Sequence, residues 1–181
     1  LLMIGVCTGT VVVSSVSISL EGKELETLKA LPLDSITIIN SKLLFHYLMT
    51  GGLTFVASVT FCILYRPDTI SSINALIYPQ VFLILTDLTG MCYNLRHPRL
   101  EWESEASVVK RSLSVFLSVM TGLALAVGIP VLYVYMAFIK EYWTIAFGQY
   151  ILLVTGVFAV LSCLSYMWII KKGTVLLEDL S

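Results

Sequence analysis

Residues 113–138 read LSVFLSVMTGLALAVGIPVLYVYMAF, without one charged side chain. A bilayer core about 30 Å thick takes roughly 20 helical residues to cross, and this stretch is long enough. In lipid a segment must satisfy its own backbone N–H and C=O groups, which a helix does. A barrel strand is about 10 residues long and alternates in polarity; this run does neither. Four more runs share the pattern, at about Leu1 to Ile18, Ile36 to Tyr65, Ile70 to Leu95 and Thr144 to Ile170. The expectation is an all-α, polytopic membrane helix bundle with about five transmembrane helices. Composition agrees. The chain has 181 residues, 57% hydrophobic and 13% charged, where soluble domains carry roughly 25% charged residues. It opens at Leu1 inside an apolar run with no initiator Met, so it reads as the C-terminal part of a longer membrane protein.

The loops orient the bundle. Lys23, Lys29 and Lys42 follow the first run, and Arg66 alone follows the second. Arg96, Arg99, Lys110 and Arg111 follow the third, Lys140 the fourth, and Lys171 and Lys172 the fifth. Nine of the 11 basic residues therefore fall on alternate segments. The positive-inside rule places residues 19–42, residues 96–111 and the C-terminus in the cytoplasm of a multi-pass cell-membrane protein. An error of one in the span count would break this alternation. Tyr65, Tyr133, Tyr142 and Trp143 sit near the predicted outer ends and Trp168 near the inner one, where an aromatic belt belongs.

Several classes drop out. A net charge of -1 supplies no basic patch for nucleic acid. Cys7, Cys62, Cys92 and Cys163 stand singly in apolar runs, as small hydrophobes do. The only Gly-Lys, Gly22-Lys23, is followed by Glu24, so no nucleotide-binding loop is present. Neither His-Glu-x-x-His nor Gly-x-Ser-x-Gly occurs, and no metal site is predicted.

Three places carry candidate chemistry. In residues 20–33, Leu25, Leu28 and Leu31 recur at helical spacing before Pro32, which predicts a short amphipathic helix on the membrane surface. It is either an interfacial anchor or a docking helix for a partner. Asp34 or Ser35 can cap the helix that follows. In residues 96–111, Glu101, Glu103 and Glu105 suit a helix N-terminus, and Trp102 among charges calls for a partner surface or the headgroup layer. Inside the third run lies Asp87. A carboxylate in a membrane span is a functional candidate and faces the bundle. Lys42 and His46, one helical turn apart on the second run, are its expected partners, in a structural pair or a proton relay. Gly5 and Gly9 form a small-xxx-small pattern for close packing, Gly51-Gly52 marks a bend, and Pro79 and Pro130 mark kinks.

Ser19 to Pro32, with its Ser-x-Glu-Gly-Lys stretch leading into Leu-Lys-x-Leu-Pro, followed by Lys42, resembles the cytoplasmic segment of ATP-binding-cassette type-2 exporter permeases. Pro98-Arg99-Leu100-Glu101-Trp102, then Glu105 and Lys110, looks like a second loop of a bacterial branch of that family. The likeness covers about residues 15 to 115. It implies a transport subunit without catalytic residues of its own, paired with a separate cytoplasmic ATPase that holds the ATP and Mg, and with a second permease half or a homodimeric copy. It also implies that Glu21, Lys23, Glu24, Leu28 and Lys29 form a coupling helix against the ATPase, and that Arg99, Trp102, Glu105 and Lys110 belong to a second cytoplasmic contact loop. The alternatives are a membrane enzyme acting on lipid or peptide through Asp87, His46 or Glu101 to Glu105, and a non-catalytic assembly protein.

Overall fold

Helix ends in this chain are written in short polar stretches. Arg66 takes a left-handed turn at φ 44° and Pro67 follows, so one helix cannot continue. Asp68 then accepts a hydrogen bond from the Ser71 N–H at 3.3 Å and caps the next. Bonds from the Ser71 hydroxyl and then its N–H hold the Asp68 carboxyl below its ordinary range. The computed structural model describes residues 7–10, 13–30, 32–102, 104–139 and 145–180. Its helices are α1 (Leu25–Lys29), α2 (Ser35–Tyr65), α3 (Thr69–Arg96), α4 (Glu105–Arg111), α5 (Leu113–Ile139), α6 (Phe147–Trp168) and α7 (Thr174–Asp179). A 3₁₀ segment, Ser19–Glu24, precedes α1, and a π-helical turn, Ile169–Gly173, joins α6 to α7. No strand occurs among the described residues. The protein is an all-α bundle, and four stretches are long and apolar enough to cross a membrane: α2, α3, α5 and the joined α6–α7.

Polar content sets the arrangement. Asn74, Gln80, Thr86, Asp87, Thr89 and Asn94 all lie on α3. These groups are costly in hydrocarbon without partners, so α3 takes the centre and packs against α2, α5 and α6. Its apolar window is 61% buried, against 17–22% for the other three. Leu44, Leu48, Leu53 and Ile63 of α2 and Phe116 and Val131 of α5 face outward instead, as lipid-facing residues do. One apolar core gathers Ile18, Leu25, Ile39, Met91, Leu95 and Ile169 at the end that carries Lys42 and Arg96. We call this the basic end. The other core stacks Phe82 on Phe158 with ring centroids 5.5 Å apart.

Gly51-Gly52 lies within α2, which runs helical from Ser35 to Tyr65. The Gly51 carbonyl also accepts a bond from Gln80 Nε2 at 3.3 Å, which ties that turn to α3. The first apolar run is not a helix through to Ile18. Residues 1–6 and 11–12 lie outside the described residues, and of the remainder only Cys7–Gly9 is helical, while Val13–Ile18 is bend and turn. The reason is the serine-rich stretch. Ser15 O accepts from Ser114 Oγ at 2.8 Å, Ser17 O from Lys42 Nζ at 3.1 Å, and Ser14 O from Asn94 Nδ2 at 3.5 Å. Neighbouring helices thus satisfy carbonyls that a helix would have satisfied itself. Non-helical backbone is tolerated at membrane depth where protein buries it, and Ser14 and Ser15 are buried. Small residues admit the segment. A Cβ on Gly9 would stand 2.9 Å from Gly122 O, and one on Gly90 2.7 Å from Ser14 Oγ. Gly9 thus makes the close approach expected of its motif, while Gly5 lies outside the described residues.

Candidate functional site: a two-loop platform and an intramembrane pair

Ser19 is where the two loops meet. It is fully buried. Its hydroxyl donates to Asn94 Oδ1 at 2.8 Å and accepts the Arg99 N–H at 3.0 Å. Its carbonyl accepts the Trp102 Nε1–H at 2.9 Å. One residue therefore binds the first loop to the last turn of α3 and to the second loop. Trp102 finds its partner surface in the protein rather than in the headgroup layer.

The predicted single amphipathic helix is instead two short pieces. The chain reverses at Gly22, φ 50° and ψ -124°, a combination that only glycine adopts without strain. A Cβ there would also stand 3.0 Å from Trp102 Nε1 and 3.2 Å from Leu100 O. Gly22→Ala is expected to cost about 1–3 kcal/mol and to speed protease cleavage within residues 19–30. Unchanged cleavage would mean that the loop is not held by this contact. Past the kink, α1 buries Leu25 and packs Leu28 on the basic-end core. Glu21 makes an ion pair with Lys42 and is only partly exposed. Glu24 and Glu26 are exposed. The side chains of Lys23 and Lys29, and Leu31, lie outside the described residues.

Among its described residues the second loop is non-helical as far as Ser104, whose backbone is extended. Then α4 places Glu105 in its first turn and Lys110 and Arg111 in its last, the order that complements the helix dipole. Glu105, Lys110 and Arg111 are exposed. Arg99 also donates from Nη1 to Arg111 O at 3.1 Å, which closes the loop on itself. Glu101 precedes the helix, so it and Glu105 do not share a helix face. Glu103 lies outside the described residues.

Lys42 and His46 share a face of α2, but they part company. Lys42 reaches Ser17 and Glu21 at the basic end. His46 Nδ1 meets Asp87 Oδ1 at 2.6 Å, with both side chains almost fully buried. Of the two partners expected for Asp87, it takes His46. With the carboxylate ionised, Nδ1 donates. His46 Nε2 is buried with no hydrogen-bond partner among the described residues. Asp87 borders a cleft of about 520 Å³ between α2, α3 and α6, lined also by Leu43, Tyr47, Ile84, Ser162 and Tyr166. The pair locks α2 to α3 and places a polar group beside an apolar cleft. Among the described residues, no group of three or more His, Cys, Asp or Glu stands where it could hold a metal ion.

Ser19, Asn94 and Gly22 were not singled out as site residues in the sequence. Their signals are faint: a serine closing a serine-rich stretch, an asparagine in the last turn of a span, and a glycine inside an otherwise helical pattern. No family model, no curated protein and no solved structure matches this chain. The class defined by fold and site is therefore an α-helical membrane protein with a built loop platform at one end.

Proposed function

We propose that the chain is the membrane-spanning permease subunit of an ATP-driven exporter, working with a separate cytoplasmic ATPase. The observation that carries this reading is the attachment of α1. The segment leading into it is tied to α2 through the Glu21–Lys42 pair and to α3 through Ser19 and Asn94. A push on α1 therefore reaches two spanning helices through direct side-chain contacts, part-buried at Glu21–Lys42 and buried at Ser19–Asn94, rather than through a loose loop. In this reading the basic end faces the cytoplasm of the cell, and the ATPase holds ATP and Mg. Its closure on the nucleotide displaces α1, and the displacement shifts α2 against its neighbours. A second permease half completes the path. Glu24 and Glu26, exposed on the platform, meet the ATPase. Glu21 serves inside the platform instead.

The full-length protein, purified in mild detergent, is expected to bring an ATPase with it. Reversing Glu24 and Glu26 to Lys is expected to cut the co-purifying ATPase activity about tenfold, because like charges across an interface repel. A wild-type protein that purifies without any ATPase would overturn the proposal.

A further inference from the structure

A second cleft, of about 300 Å³, lies between α3 and α6 and shares no lining residue with the cleft beside Asp87. Thr89, Cys92, Tyr93, Leu164 and Ser165 form its walls, and Arg96 and Trp168 stand at its mouth. The Arg96 guanidinium carbon lies 4.4 Å from the centroid of the Trp168 ring. The ring lies against the guanidinium, and no described side chain is hydrogen-bonded to the Arg96 N–H groups, the part that recognises phosphate. The described ion pairs are Lys42–Glu21 and His46–Asp87; no described carboxylate pairs with Arg96. Lys171 and Lys172 are exposed about one turn beyond Trp168.

Depth and polarity then specify a ligand. Arg96 ends α3 and Trp168 ends α6, so the mouth sits at the level where Trp marks the membrane interface. Below it, Cys92 and Leu164 present apolar wall toward the membrane interior. Cations above and an apolar groove below fit a molecule with an anionic head and hydrocarbon tails. We propose that this cleft binds an anionic phospholipid, with its phosphate on the Arg96 edge beside Lys171 and Lys172 and an acyl chain along the groove between α3 and α6. A soluble phosphate compound would use the cations and leave the groove unused. An arginine merely reaching into bulk headgroups would show no preference among lipids beyond bulk charge and would not need the cleft.

The test uses the full-length protein in bilayers of equal phosphatidylglycerol and phosphatidylcholine, with bromine quencher on the chains of one lipid or the other. The Trp168 signal is the difference between wild type and Trp168→Phe. Brominated phosphatidylglycerol is expected to quench it with about fivefold preference over phosphatidylcholine, the effect of roughly one basic group at an anionic headgroup. The preference should fall to near one in Arg96→Gln and persist in excess inorganic phosphate. Equal quenching by both lipids in the wild type would overturn the proposal, as would a preference that survives Arg96→Gln. Displacement by inorganic phosphate would assign the cations to a soluble anion and overturn it too. Should Arg96→Gln fail to fold, the Lys171→Gln, Lys172→Gln double variant is expected to lose part of the preference, and full retention there would overturn the site.

Discussion

Replacing His46 with Ala is expected to destabilise the bundle by about 3–5 kcal/mol, the cost of leaving a buried charge without its partner. Asp87 is buried on α3 and meets His46 Nδ1 at 2.6 Å. Without the imidazole its buried carboxyl loses that hydrogen bond. Thermal unfolding in detergent reads the loss directly. The companion variant separates pairing from packing. His46→Leu with Asp87→Leu removes both polar groups at similar volume, and such replacements are often neutral or stabilising. The double variant is therefore expected to recover most of the stability that the single one loses. Asp87→Asn keeps an oxygen that can accept from Nδ1 and is expected to fall between wild type and His46→Ala. If it left folding and activity unchanged, the ionised pair would have no role. An ATPase assay on the double variant then asks a further question, because restored stability with lost turnover would assign the pair to function.

The second large effect is expected at Gly122. A Cβ on this residue of α5 would overlap the carbonyl of Gly9. The obstacle is backbone, which cannot swing aside as a side chain does. Gly122→Ala is expected to cost about 3 kcal/mol or more, at the high end for overpacking, because the first segment must move off α5. That segment carries Ser15, whose carbonyl accepts from Ser114 on α5, so the strain passes along toward the platform. Gly128, six residues further along α5, has nothing within 4 Å of its added Cβ. Gly128→Ala is expected to be neutral or to stabilise by up to about 1 kcal/mol through helix propensity. Equal unfolding midpoints for the two variants would show that the Gly9–Gly122 approach does not matter to stability.

Both predictions rest on contacts between segments far apart in the chain, and the sequence reached only part of each. Asp87 announced itself as a carboxylate in an apolar run, and His46 and Lys42 were visible as candidates one turn apart. Which of them it meets depends on how far α2 slides along α3. That register is set by packing around Gly51, Gln80 and the Ile39–Met91 core. Lys42 lies one turn nearer the basic end, within reach of Glu21. Glu21 was legible as a charge on a helical stretch, but its direction was not. A kink at Gly22 turns the chain there, and Trp102 fills the space beside it from the other loop.

The spans themselves were written locally. Lipid has no hydrogen bonds to offer, so a long apolar run is helical whatever surrounds it, and the bounds of α2, α3 and α5 lie within two residues of the ends of their apolar runs. Polar residues crowded onto one run likewise mark α3 as central, because burial is their escape from lipid. The first run is the exception that tertiary structure decided. Its hydropathy reads as a span, yet Ser14, Ser15 and Ser17 find hydrogen-bond donors on α2, α3 and α5, and once those carbonyls are satisfied from outside, nothing compels the segment to be a helix. Hydropathy and periodicity are sums over neighbours in sequence and so are carried by the chain alone. Ser19 joining two loops, His46 rather than Lys42 on Asp87, and Gly9 against Gly122 are meetings across 41 to 113 positions. They exist only once the helices have packed.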